Sequence, residues 1–172
     1  AIPAMHSMTA VAGAVTGRRG EYETNGFIVE QGLFTADEIA RLGDQFNAMH
    51  AAGGVPGKYA PLPADTDHND GFHHTFTKGD PLLRWPRVMW PHSFMPGVVP
   101  YVLHPRIYDR LRELLGEEVC NLSSMYYFKP PRARGQAFHQ DNFYIKVKPG
   151  TCHACWIAVD PSDAGNGGLS VI

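Results

Sequence analysis

The sequence predicts an α+β, mainly β chain, with helices first and an antiparallel sheet after them. Two amphipathic stretches with capping and stop signals fall before residue 116. From residue 119 onward the texture changes to short β-branched and aromatic runs separated by turn residues. Gly 18 and Pro 14 sum to 32 of 172 residues, well above the usual ~12% share, which excludes a long helical bundle.

Each element has a local reason. Asn25-Gly26-Phe27-Ile28-Val29 reads as a turn entering a short strand. A helix follows over 35–51. Thr35 caps it, Glu38 completes a capping box, and Phe34 with Ile39 stands at staple spacing. Leu42, Phe46 and Met49 continue one apolar face, and Gly53-Gly54 ends it. Residues 52–80 read as a long loop. Asp65, Asp67, His68, Asp70, His73 and His74 lie within it as a solvated turn, a metal cluster or a substrate-contacting lid. Residues 82–101, rich in Trp and Pro, predict short helical turns packed on an apolar surface. A second helix covers 105–115, with Ile107, Leu111, Leu114 and Leu115 as its stripe and Gly116 as its stop. Strands are predicted at 119–129, 136–147, 151–160 and 168–172, joined by Pro-Pro-Arg-Ala-Arg-Gly, Lys-Pro-Gly and Pro-Ser-Asp-Ala-Gly-Asn-Gly.

Composition narrows the function classes. A net charge of −2 argues against a general grip on nucleic acid or anionic lipid. No apolar run approaches the ~20 residues of a membrane-spanning helix. Cys120, Cys152 and Cys155 are too few, and odd in number, for a disulfide scaffold, so a reducing, cytoplasmic setting is the simpler expectation. Residues 1–20 lack the basic start of a secretory leader and read as a loose arm or a remnant foreign to the domain. Residues 21–172 then form one domain, helical over 21–118 and carrying its first strands over 119–172. Oligomeric state is not legible.

The sharpest chemical candidate is His139-Gln140-Asp141. On a strand, residues two apart share a face, so His139 and Asp141 would present an imidazole nitrogen and a carboxylate oxygen together. Two of the three ligands of a two-His-one-carboxylate Fe(II) site have this form. A second His-x-Asp, His68-Asn69-Asp70, shows that the tripeptide alone is weak. Aromatic Phe138, Phe143 and Tyr144 flank the first copy, whereas loop residues surround the second. Cys152-His-Ala-Cys155 has zinc-like spacing but no second pair, so core packing is the expected role of its thiols. His153 is a remote substitute for a third ligand. Arg132 and Arg134, in the turn before His139, are either exposed or placed to meet an acidic substrate.

Four motifs in order extend the pattern: Asn121-Leu-Ser-Ser-Met-Tyr-Tyr-Phe-Lys-Pro-Pro, Phe138-His-Gln-Asp-Asn-Phe-Tyr, Cys155-Trp-Ile-Ala-Val-Asp and Asn166-Gly-Gly-Leu-Ser-Val-Ile. Together they resemble the phytanoyl-CoA dioxygenase family of Fe(II)/2-oxoglutarate oxygenases, closely over 119–172 and more loosely back to 25–51. The resemblance implies a double-stranded β-helix (a jelly-roll, cupin-like core) with N-terminal helices. It implies Fe(II) bound by His139 and Asp141, and 2-oxoglutarate lined by Met125, Gln140 and Trp156, with O2 as oxidant and ascorbate as a possible reductant. An acid at 141 implies a hydroxylase rather than a halogenase. The implied reaction hydroxylates a small-molecule C–H bond and forms succinate and CO2. The family's third ligand, a histidine, and its 2-oxoglutarate arginine come after the strand at which this chain stops. The C-terminal half of the barrel is therefore expected to be missing, and the 172 residues alone inactive. The alternatives are a non-catalytic or decayed barrel and a cupin-like metalloenzyme that does not use 2-oxoglutarate. Substrate contacts are expected in the 52–80 loop and at Trp85, Trp90 and Phe94.

Overall fold

The computed structural model describes residues 17–65 and 78–172, together with the backbone of short strand segments at 6–7, 68–69 and 75–76. Six α-helices are described: α1 (Arg18–Asn25), α2 (Ala36–Ala51), α3 (Pro81–Arg84), α4 (Val99–Val102), α5 (Pro105–Leu115) and α6 (Asp141–Ile145). Two 3-10 turns, Pro91–Ser93 and Pro96–Val98, precede α4. The strands are β1 (His6–Ser7), β2 (His68–Asn69), β3 (Thr75–Phe76), β4 (Val88–Met89), β5 (Met125–Tyr126) and β6 (Ser170–Val171). They pair antiparallel as β1 with β6, β2 with β3 and β4 with β5, each pairing standing apart from the others.

This largely helical chain is not the double-stranded β-helix expected from the sequence, nor a mainly β fold. The reason is the non-local character of sheets. A strand satisfies none of its own backbone groups and must find a neighbouring strand to do so. Of the four strands predicted after residue 119, only Met125–Tyr126 and Ser170–Val171 find partners among the described residues. The stretch predicted as a strand over 136–147 instead closes its own hydrogen bonds as α6, ended by Lys146 in the left-handed conformation (φ 55°, ψ 46°). Residues 151–160 run as irregular backbone. The strand expected after Asn25-Gly26 is irregular as well.

Two compact units are present. One comprises Phe34–Pro105 and Val119–Arg134. Its α2 forms where local rules require it. The Thr35 hydroxyl accepts from the Glu38 N–H at 3.2 Å, and the Glu38 carboxylate accepts from the Thr35 N–H at 2.7 Å. Leu42, Phe46 and Met49 are buried along one face. Phe46 stacks on Tyr126 with ring centroids 3.6 Å apart and meets Phe128 edge-on at 6.5 Å. In the β4–β5 pairing Val88 lies opposite Tyr126 and Met89 opposite Met125. Val88 is fully buried while Met125 is 41% exposed, so strand alternation puts one face of the pair in the core and leaves the other open. The short helical turns expected over 82–101 are present, with Leu83, Pro91 and Val98 buried.

The other unit comprises Ala1–Leu33, Arg106–Glu118 and Gly135–Ile172. In it Glu30 receives Arg18 and Arg110, whose Nε atoms lie 3.3 and 3.0 Å from the same carboxylate oxygen. Helix α5 has the bounds predicted for it, and Ile107 and Leu114 on its stripe are buried. Phe138, Phe143 and Tyr144, which flank His139 on the predicted 136–147 strand, are mostly exposed. No helix among the described residues is long and apolar enough to cross a membrane.

Candidate metal centre

His139 and Asp141 lie on either side of the residue that starts α6. Gln140 is its N-cap, with an extended backbone (φ −113°, ψ 128°), and Asp141 is the first helical residue. One extended residue is enough to turn its two neighbours toward the same side. The shared face expected of a strand therefore arises without one. His139 Nε2 and Asp141 Oδ1 are 3.4 Å apart, each side chain about one-third to one-half exposed.

The imidazole's orientation is set by its other nitrogen. Nδ1 lies 2.8 Å from the Ala137 carbonyl oxygen. A carbonyl only accepts, so Nδ1 carries the proton, and in the neutral ring Nε2 presents its lone pair toward the carboxylate. Two acceptors then converge on one point, an arrangement that suits a cation. Bonds of about 2.1 Å at right angles would put two donor atoms roughly 3.0 Å apart, close to the observed separation. A metal-bound histidine typically donates its remote N–H to a carbonyl or carboxylate, as His139 does. The Tyr144 ring meets the imidazole edge-on at 6.0 Å. The pair thus fits two ligands of a divalent metal site. Among the described residues no group of three His, Cys, Asp or Glu side chains is placed to hold a metal ion.

The surrounding polar groups are otherwise engaged. Cys152 is half-buried, and burial, then the negative charge of Asp141, pushes its thiol above the ordinary range. Cys155 is exposed rather than packed in a core, as is Cys120. His153 is held through Nδ1, 2.7 Å from the Tyr22 hydroxyl, whose own pKa burial raises.

Trp156, among the other predicted residues, is half-exposed on irregular backbone. Met125 belongs to the unit containing α2 and is described there. The Tyr127 hydroxyl, two residues along the same face, donates to its sulfur at 3.3 Å. This partner was legible only as a strand alternation. Arg134 pairs with Asp80 at 3.7 Å, so it does not stand free for an acidic substrate. Trp85, expected at a substrate site, stacks on His50 with ring centroids 3.7 Å apart and belongs to the core cluster. His73, His74 and Asp70 of the 52–80 loop, with Asp67, lie outside the described residues, as does the side chain of His68.

Residues 22–172 match the family model of phytanoyl-CoA dioxygenase (PhyH). A probable alpha-ketoglutarate-dependent hypophosphite dioxygenase of Stutzerimonas stutzeri is 24% identical over 153 residues, covering 88% of this chain and 50% of that protein. The chain spans about half the length of that curated relative. No solved structure matches it. With the family model matching nearly the whole chain, the protein belongs to the phytanoyl-CoA dioxygenase (PhyH) family of the Fe(II)/2-oxoglutarate oxygenase superfamily.

Proposed function

We propose that the chain supplies iron and cosubstrate residues of an Fe(II)/2-oxoglutarate-dependent dioxygenase. Its reaction hydroxylates a C–H bond of a small molecule, with succinate and CO2 as coproducts. The observation that carries this reading is the convergence of His139 Nε2 and Asp141 Oδ1 at 3.4 Å, with the imidazole's other nitrogen tied to a carbonyl. Iron, when bound, supplies the redox chemistry that attack on an unactivated C–H bond requires and that no side chain provides. His139 binds it through Nε2, and the Ala137 carbonyl holds the ring's tilt and tautomer. Asp141 contributes a negative charge and fills the position at which a halogenase would leave room for chloride. The family resemblance assigns Gln140, Met125 and Trp156 to the lining of the 2-oxoglutarate pocket.

The test uses protein expressed from the natural gene, supplied with Fe(II), ascorbate and 2-oxoglutarate. Succinate forms, and His139→Ala and Asp141→Ala each abolish it and weaken anaerobic Fe(II) binding by at least about tenfold. Fe(II) binding undiminished in both variants removes the ligand assignment. The Stutzerimonas relative is named for hypophosphite, so hypophosphite belongs in the substrate panel beside organic compounds. Turnover of hypophosphite alone replaces the C–H reading.

A further inference from the structure

We propose that Tyr144 is a positioning residue of the metal centre: its ring holds the plane of the His139 imidazole, so that Nε2 faces a divalent cation beside Asp141. This role rests on the oxygenase reading above and extends its metal centre by a residue that acts through His139.

His139 is fastened at one point. Its Nδ1 lies 2.8 Å from the Ala137 carbonyl oxygen, which fixes the tautomer. A single hydrogen bond leaves a ring free to swing about the line joining its two atoms. Asp141 adds no second anchor, because in that neutral tautomer Nε2 and the carboxylate oxygen 3.4 Å away are both acceptors. Fixing the plane takes another contact.

Tyr144 supplies it. The two rings meet edge-on, with centroids 6.0 Å apart and planes at 75°. That separation lies inside the range over which aromatic pairs attract. Helix α6 puts the tyrosine there. Asp141 is its first residue and Tyr144 stands three positions on, so both side chains lie over one face of the same turn. The Phe143 ring braces Tyr144 in turn, edge-on with centroids 5.1 Å apart and planes at 81°. Every group involved belongs to residues 137–144 of one compact unit.

Neither burial nor the phenol explains the tyrosine. Its side chain is 59% exposed, so it is not a core residue. Its hydroxyl has no hydrogen-bond partner among the described residues. What the ring does touch is the imidazole on one side and Phe143 on the other.

The test compares protein expressed from the natural gene with Tyr144→Ala, Tyr144→Leu and Tyr144→Phe, using Fe(II) as the probe under anaerobic conditions. At so exposed a position all three should melt within a few degrees of the parent. Fe(II) binding should weaken about fivefold in Tyr144→Ala and Tyr144→Leu, and stay within about twofold of the parent in Tyr144→Phe. The leucine keeps apolar bulk without a flat ring, and the phenylalanine keeps the ring without the hydroxyl. A second readout needs no metal. At fixed pH the His139 Hε1 resonance should move in the alanine and leucine variants, as the tyrosine ring current is lost, and hold its place in Tyr144→Phe. Unchanged Fe(II) affinity in Tyr144→Ala, a phenylalanine variant as weak as the alanine one, or an unmoved His139 resonance overturns the proposal. The ligand reading fails separately, when the parent binds no Fe(II) or when His139→Ala and Asp141→Ala bind it undiminished.

Discussion

Two phenylalanine truncations separate the helical fold from the sheet that the sequence suggested. Phe46 is 1% exposed, stacks on Tyr126 and meets Phe128 edge-on. Phe46→Ala removes a fully buried ring and leaves a cavity against two aromatic neighbours, a loss of about 4 kcal/mol. Phe143, placed by the sequence on a sheet, is 74% exposed at the middle of α6. Phe143→Ala should change stability by no more than about 0.5 kcal/mol. Urea unfolding followed by tryptophan fluorescence reads both, because Trp85 reports from the same cluster as Phe128 and Trp156 from the unit that contains Phe143. At a slope of about 2 kcal/mol per molar urea, the midpoint falls by roughly 2 M for Phe46→Ala and hardly moves for Phe143→Ala. A loss above about 2 kcal/mol for Phe143→Ala would mean that its ring is buried in a sheet, and the fold described above would be wrong.

Further outcomes follow from single contacts. Burial, then the nearby Arg84 charge, lowers the pKa of His50, while burial raises that of Tyr59 far enough to keep its hydroxyl protonated. The Tyr59 hydroxyl, 2.7 Å away, hydrogen-bonds His50 Nδ1. Because the folded value lies below the unfolded ~6.5, this stabilisation is present above pH 6.5 and is lost as pH falls through the folded value. His50→Gln should flatten the difference between urea midpoints at pH 7.5 and 5.5, the wild-type midpoint being the lower at pH 5.5. Equal pH dependence in the two proteins refutes it. Gly54→Ala puts a Cβ 2.2 Å from the Tyr59 carbonyl oxygen at φ +99°, whereas at Gly53 (φ +86°) the same atom meets open space. Thermal melts should show a loss of at least about 2 kcal/mol at position 54 and roughly 1 kcal/mol at position 53, and the reverse order would contradict the geometry. Thr35→Ala removes the α2 cap and should cost about 1 kcal/mol by the same measurement.

What the sequence revealed, and what it concealed, divides by range of interaction. The capping box at Thr35 and Glu38 and the stripe of α5 were readable because every group involved lies within one or two turns of chain. The approach of His139 to Asp141 was readable for the same reason, since it needs only an extended Gln140 between them. The strands after residue 119 were misjudged because an aromatic, β-branched run describes a surface waiting for a neighbour. In 136–147 the backbone closed its hydrogen bonds within itself. The stack of Trp85 on His50, thirty-five positions earlier, was not legible because nothing in its own segment announces it. The Trp90 backbone ran against its local signal altogether, as a pre-proline residue held by Ser124 from another segment.

The carboxylate of Glu30 is shared between α1 and α5. Arg18 and Arg110 both approach its Oε1, in ion pairs without aligned hydrogen bonds, and its side chain is only 20% exposed. Added electrolyte should dissolve the more exposed Arg19–Glu23 pair long before this partly shielded junction. Neutralising Glu30 leaves two guanidinium groups facing one another with no anion between them. A single amide substitution there acts as repulsion between two helices, and salt that weakens most ion pairs would partly restore their docking.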